Sequence, residues 1–167
     1  MRSAIYYFPV LVIIALLGSQ SHHRLAVFSD EIALWRDASA KSPNKARPHN
    51  NLGDALKKAY DLNGAQQHFI RALEIQPDYP DALNNLATLY ASVGRSAEAT
   101  DLLLKALLLN PTHIPARYNL AMQYYEQDLL SDADREYTAI IMQNPYCSEA
   151  AFAGQMLKMI HKQILTH

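Results

Sequence analysis

Pro80–His113 reads PDALNNLATLYASVGRSAEATDLLLKALLLNPTH, and its apolar residues fall into two blocks at three- and four-residue spacing. Leu83, Leu86, Ala87 and Tyr90 form the first block; Ala99, Leu102, Leu103, Ala106 and Leu107 form the second. That spacing puts each block on one face of an α-helix. Val93-Gly94-Arg95-Ser96 separates them: Gly94 suits a left-handed helix C-terminus, and Ser96 can cap the helix that follows. Pro111 disfavours helical backbone at Asn110, so the second helix should stop there. Small Ala87 and Ala99 let the two helices approach, with Tyr90 and Leu103 filling the space around them. One such hairpin cannot bury both of its faces, so neighbouring hairpins must stack.

The neighbours are present. Ala46–Tyr79 and Ile114–Cys147 align with Pro80–His113 without a gap, each 34 residues long. Asn51, Asn85 and Asn119 share a column; Leu52, Leu86 and Leu120 follow, then the small residues Gly53, Ala87 and Ala121. Ala65, Ala99 and Ala133 coincide, as do Phe69, Leu103 and Tyr137, then Ala72, Ala106 and Ile140. Pro77, Pro111 and Pro145 close the units. Matched columns at a fixed period define a repeat architecture.

This pattern resembles the tetratricopeptide repeat over residues 46–147. The likeness implies an all-α solenoid of three helical hairpins, at 46–79, 80–113 and 114–147, that binds proteins and does not catalyse a reaction. Two columns depart from it. His49, Leu83 and Arg117 stand where a large aromatic is usual, and the inter-helix glycine is kept only as Gly94, with Tyr60 and Asp128 elsewhere. The second departure leaves the turns of the first and third units open. Residues 28–45 read as a half-repeat, with Trp35 in the large column, Ala38 in the small one and Pro43 at the close. Residues 148–165 read as a capping helix whose apolar positions are Phe152, Met156, Met159 and Ile160. Solenoids need such caps to keep their last core face dry.

Fifteen Lys and Arg against sixteen Asp and Glu give a formal net charge of -1, so nothing pulls the chain toward nucleic acid. One cysteine, Cys147, forms no internal disulfide and reads as a small apolar residue at a unit boundary. No phosphate-cradling glycine loop, nucleophile elbow or metal-spaced Cys/His set occurs, so no cofactor or metal is expected. Glu98 and Asp101, and Asp132, Asp134 and Glu136, read as helix-start charges and solvated faces rather than as acid–base pairs.

The N-terminus departs from this. Ala4–Gly18, AIYYFPVLVIIALLG, is uninterrupted by charge and ends in Ser19-Gln20-Ser21-His22-His23-Arg24. A membrane crossing wants about 20 apolar residues and a signal-peptide core about 7–15, so the stretch lies between. Tyr6 and Tyr7 suit an interfacial belt, and Leu16 and Leu17 stand where a cleavage site wants small residues. We read residues 1–21 as a hydrophobic anchor helix, touching the membrane through residues 4–18, with a cleaved signal as the alternative. The junction Ser42–Gly53, SPNKARPHNNLG, after the Trp35 segment resembles that of polytopic mannosyltransferase-like membrane proteins with C-terminal repeat arrays. That resemblance covers residues 1–53 and implies a single-pass chain with its repeats on the non-cytoplasmic side.

In a tetratricopeptide solenoid the first helices line a concave groove, so a ligand should meet first-helix positions the core leaves free. The column Asn51, Asn85, Asn119 is the sharpest candidate. An amide offers donor and acceptor together and can hold the backbone of an extended peptide with little regard to sequence. The column is similar to the asparagine ladder of some glycosyltransferase repeat arrays that bind protein substrates. The competing reading has these amides hydrogen-bonding along their own stack. Asn50, Asn84 and Tyr118, then Asp54, Thr88 and Met122, then Lys57, Ala91 and Tyr125, complete the candidate groove. The expected partner is a protein or extended peptide. The expected function is that of a membrane-tethered scaffold, or of an accessory domain presenting acceptor proteins to a membrane glycosyltransferase.

Overall fold

The computed structural model describes residues 29–165, and the apolar segment within residues 1–21 lies outside them. A first helix, α1, spans residues 29–41. The rest are α2 (Ala46–Lys58), α3 (Leu62–Ile75), α4 (Pro80–Ser92), α5 (Ser96–Leu109), α6 (Ile114–Glu126), α7 (Leu130–Gln143) and α8 (Ser148–Leu165). The described residues are thus an all-helical solenoid of eight helices without a strand. None of these helices is long and apolar enough to cross a membrane.

Three hairpins, α2/α3, α4/α5 and α6/α7, stack in chain order, and α8 packs on α7. The first helix of each unit also touches the first helix of the next, α2 on α4, α4 on α6 and α6 on α8. The second helices make no such contact with one another. The stack therefore curves with the first helices on its inner face and the second helices splayed along its back.

The small columns set how closely each hairpin closes. Ala65, Ala99 and Ala133 are fully buried, and Phe69, Leu103 and Tyr137 fill the space beside them. In the first unit the approach is tight: a Cβ on Gly53 would lie 2.7 Å from the Phe69 ring. Only glycine fits there without displacing the ring. At the front of the stack, Ile32 and Trp35 of α1 pack against the buried cluster that Leu52, Leu56 and Phe69 share with Leu86 and Leu89.

All three inter-helix turns share one geometry. Gly94 is left-handed at φ 81°, and so are Tyr60 at 64° and Asp128 at 60°. In each turn the left-handed residue's N–H returns to a carbonyl three residues back, Lys57, Ala91 or Tyr125. The next N–H returns five residues back, Asp61 to Leu56, Arg95 to Tyr90 and Leu129 to Tyr124, at 2.9–3.0 Å. That pair of bonds is a Schellman motif. Its two bonds hold two L-residues in a conformation they otherwise avoid, so losing the glycine did not change the turn. At the other ends, Gln76, Asn110 and Asn144 are extended, at φ between -152° and -136°, as residues before proline must be.

Three sequence expectations need correction. Ser96 does not cap α5: Arg95 holds the cap position without a side-chain bond to the helix backbone, and Ser96 is already helical. The side-chain caps are instead Asp61 on α3, accepting from the Gly64 N–H at 2.9 Å, and His113 on α6. The buried face of α8 is Ala150, Ala153, Met156 and Ile160; Phe152 and Met159 stay 40% and 52% exposed. Alanines at the contact bring α8 close to α7, and that register leaves Phe152 beside Tyr118 of α6 and turns Met159 toward solvent. Glu136 is buried rather than solvated, because Arg117 of α6 reaches across to it at 2.7 Å.

Candidate functional site

The asparagines occupy the inner face, and they do so in pairs. Asn85 Nδ2 donates to Asn50 Oδ1 at 3.0 Å, and Asn119 Nδ2 donates to Asn84 Oδ1 at 2.7 Å. Donor and acceptor lie 35 positions apart, one repeat and one residue. Asn85 and Asn119 thus reach back to the preceding residue's column in the unit before. Asn50 and Asn84 are buried by this arrangement, while Asn51, Asn85 and Asn119 stay partly open. Asn51 has no earlier repeat to reach and only accepts from Asn50 Nδ2 at 3.3 Å.

The ladder stitches the stack and still leaves hydrogen-bonding capacity on the groove. A side-chain amide offers two N–H donors and an oxygen with two lone pairs. The Oδ1 atoms of Asn85 and Asn119 and the Nδ2 of Asn51 are not used by these bonds. Third in the other column is Tyr118, where the ladder ends. Its ring instead packs edge-on against Tyr137 at 6.3 Å and Phe152 at 5.5 Å. Burial raises the Tyr118 phenol above its usual range, and the nearby Glu149 carboxylate adds to the effect.

The remaining candidates are engaged along the groove. Asp54 pairs with Lys58 at 3.0 Å and Lys57 at 3.5 Å, and Lys57 also donates to Thr88 Oγ1 of the next unit at 3.3 Å. Tyr125 is half-buried against the core beneath α6 and α8.

Two hollows on this face are lined by residues of the asparagine columns. The larger, about 660 Å³, opens over the N-terminal turns of α2, α4 and α6 and is lined by Asn50, Asn51, Asn84 and Asn85 together with Arg47 and His113. Tyr79, Asp81 and Pro115 complete it. His113 Nδ1 accepts the Ala116 N–H at 3.0 Å, so its Nε2 carries the proton shared with Asp81 at 2.9 Å. Burial raises the Tyr79 phenol, Asp81 adding to this and Arg47 opposing it. The smaller hollow, about 220 Å³, lies between α4 and α6. Among the described residues no three His, Cys, Asp or Glu side chains are placed to share a metal ion.

Sequence reasoning left Arg47, Asp81, Tyr79 and His113 out of the groove. Their signal was nonetheless periodic: Arg47, Asp81 and Pro115 share a column, as do Tyr79 and His113. The first column lies one helical turn before the asparagines on the same helix face, and the second holds the N-cap positions ahead of α4 and α6.

Residues 46–79 and 68–101 each match a family described as the tetratricopeptide repeat. Among curated proteins, the chain is 28% identical over 158 residues to the protein O-mannosyl-transferase TMTC3 of Mus musculus, covering 85% of this chain and 17% of that protein. The chain thus spans under a fifth of that relative's length. Among solved structures it resembles TTC0263, a thermophilic protein of the same repeat class from Thermus thermophilus. There the TM-score is 0.73 and the identity 20%, over 83% of this chain and 77% of that one. The first such domain of Spaghetti, solved bound to an HSP90 peptide, superposes with TM-score 0.67 and 20% identity over 72% of this chain and 94% of that one.

Proposed function

The chain carries tetratricopeptide repeats, and from that premise we propose that it is a membrane-tethered scaffold whose concave face binds an extended peptide of a partner protein. The observation that carries the reading is the asparagine ladder. It bonds to itself from one repeat to the next and keeps unused amide groups along the hollow of about 660 Å³. A row of amides repeated once per unit suits a repeated backbone, since main-chain groups recur regularly along any extended peptide. The peptide bound by the Spaghetti domain supports a peptide as the kind of ligand. Groove residues in this reading are Asn51, Asn85 and Asn119, with Asn50, Asn84, Tyr118, Asp54, Lys57 and Tyr125 around them.

Tethering rests on the apolar segment Ala4–Gly18, with the repeats on the non-cytoplasmic side, and the chain acts by binding rather than by catalysis. Fractionation of a C-terminally tagged chain tests the anchor: carbonate-resistant membrane association is expected, and release into the soluble fraction contradicts it. For the groove, capture of partners by the native chain is compared with an Asn51/Asn85/Asn119 triple alanine variant. The variant should lose them while keeping its helical spectrum; equal capture defeats the proposal. A second reading, an accessory domain that presents acceptor proteins to a membrane glycosyltransferase, is favoured by the likeness to the mouse transferase. It predicts that a multi-pass membrane protein co-purifies with the chain.

A further inference from the structure

The hollow between α4 and α6 has a different chemistry from the rest of the groove. Its floor is Ala87, Ala91 and Leu103, and its walls include Tyr118 and Met122. It exists because of one truncation: Ala91 stands where the neighbouring units carry Lys57 and Tyr125. A volume of about 220 Å³ exceeds the roughly 150 Å³ that is enough for a benzene ring in an apolar protein cavity.

A second observation points to a ligand. Gln123 lines the same hollow and is only 5% exposed, yet its Oε1 has no hydrogen-bond partner. Which of its amide atoms is the oxygen is fixed, since Nε2 donates to Glu126 at 3.0 Å and the reverse arrangement would face oxygen to carboxylate. A buried acceptor left unpaired is costly, and because this oxygen is closed to solvent a donor meets it only when the side chain turns toward the hollow. Asn119, last of the ladder, lies on the same rim.

We propose that this hollow is a specificity pocket: it takes one apolar side chain, aliphatic or phenyl, of a peptide lying along the asparagine column, and Gln123 turns its enclosed Oε1 into the hollow to accept a backbone N–H beside that residue. The proposal rests on the reading of the concave face as a peptide groove. An acidic residue is rejected at this position, because Glu126 stands at the rim.

The test pans a displayed library of short random peptides on the full chain, native and Ala91→Tyr, the latter filling the hollow as Tyr125 does in the next unit. Peptides enriched on the native chain should carry Leu, Ile, Met or Phe at one fixed position. Changing that residue to Asp should weaken binding roughly tenfold or more, as expected for expelling one apolar side chain from its pocket. Ala91→Tyr should bind weakly and without preference at that position. Enrichment with no fixed apolar residue, or an undiminished preference in Ala91→Tyr, overturns the pocket and leaves the groove standing. No enrichment at all overturns both. Because Ala91→Tyr can disturb packing, the Met122 methyl resonance of the native chain is followed as an enriched peptide is added. It should shift while that of Met142, exposed on the back of the stack, does not. A Met122 methyl that stays in place while the peptide binds also overturns the pocket.

Discussion

Tyr60 and Asp128 hold left-handed backbone without being glycine, and that conformation costs an L-residue roughly 1–2 kcal/mol. Tyr60 is 88% exposed, so no packing compensates. Tyr60→Gly should therefore stabilise the chain by roughly 0.5–1 kcal/mol, after the greater freedom of glycine in the unfolded chain is set against the relief. A rise in the urea midpoint checks this. The His49–His68 pair behaves differently. Pro43 O fixes the proton of His49 on Nε2, so His49 Nδ1 accepts from His68 Nδ1 at 3.2 Å. Burial, and then the neighbouring His49, lower the His68 pKa from 6.5. The folded state thus binds fewer protons than the unfolded state just below that value. The contribution is complete above pH 6.5 and is lost as pH falls through the lowered value. Thermal melts from pH 7 to 5 should fall more steeply for the native chain than for His68→Gln. Such details were illegible in the sequence. Tyr60 does not announce a left-handed turn, and the Arg117–Glu136 pair joins residues on separate helices whose meeting no local pattern records.

Among the helices, positions were legible from their periodicity and caps were not. The apolar blocks of α4 and α5 locate both helices, because burial of one face dominates where they form. Caps depend on single bonds and are easily misjudged, as Ser96 illustrates. Asp61 makes the observed cap of α3, so Asp61→Ala should cost about 1 kcal/mol, measured by urea denaturation. The register of α8 was misjudged for a related reason. Phe152 and Met159 look like core residues, but close approach at Ala150 and Ala153 chose the face. Small residues carry little weight in a hydrophobic pattern, yet they decide which side of a helix can come near its neighbour.

Across the whole molecule, curvature follows from contacts between successive first helices that the second helices lack. It gathers the asparagine columns onto one inner surface, so a period read along the chain becomes a row of amides in space. That much of the site was legible. The pairing between columns 35 positions apart was not, because side-chain reach across the stack is not part of the repeat. Pairing also makes most of the column serve two purposes at once, stitching units and facing the groove. Asn51 separates the two, since it donates to no earlier repeat. The most direct test titrates Asn51→Ala with a peptide enriched on the native chain and records its melt alongside. Peptide affinity should fall roughly tenfold, in line with one or two lost hydrogen bonds, while the melt stays cooperative and shifts only by the loss of the Asn50–Asn51 bond. Unchanged affinity would contradict the peptide-binding role of the asparagine column.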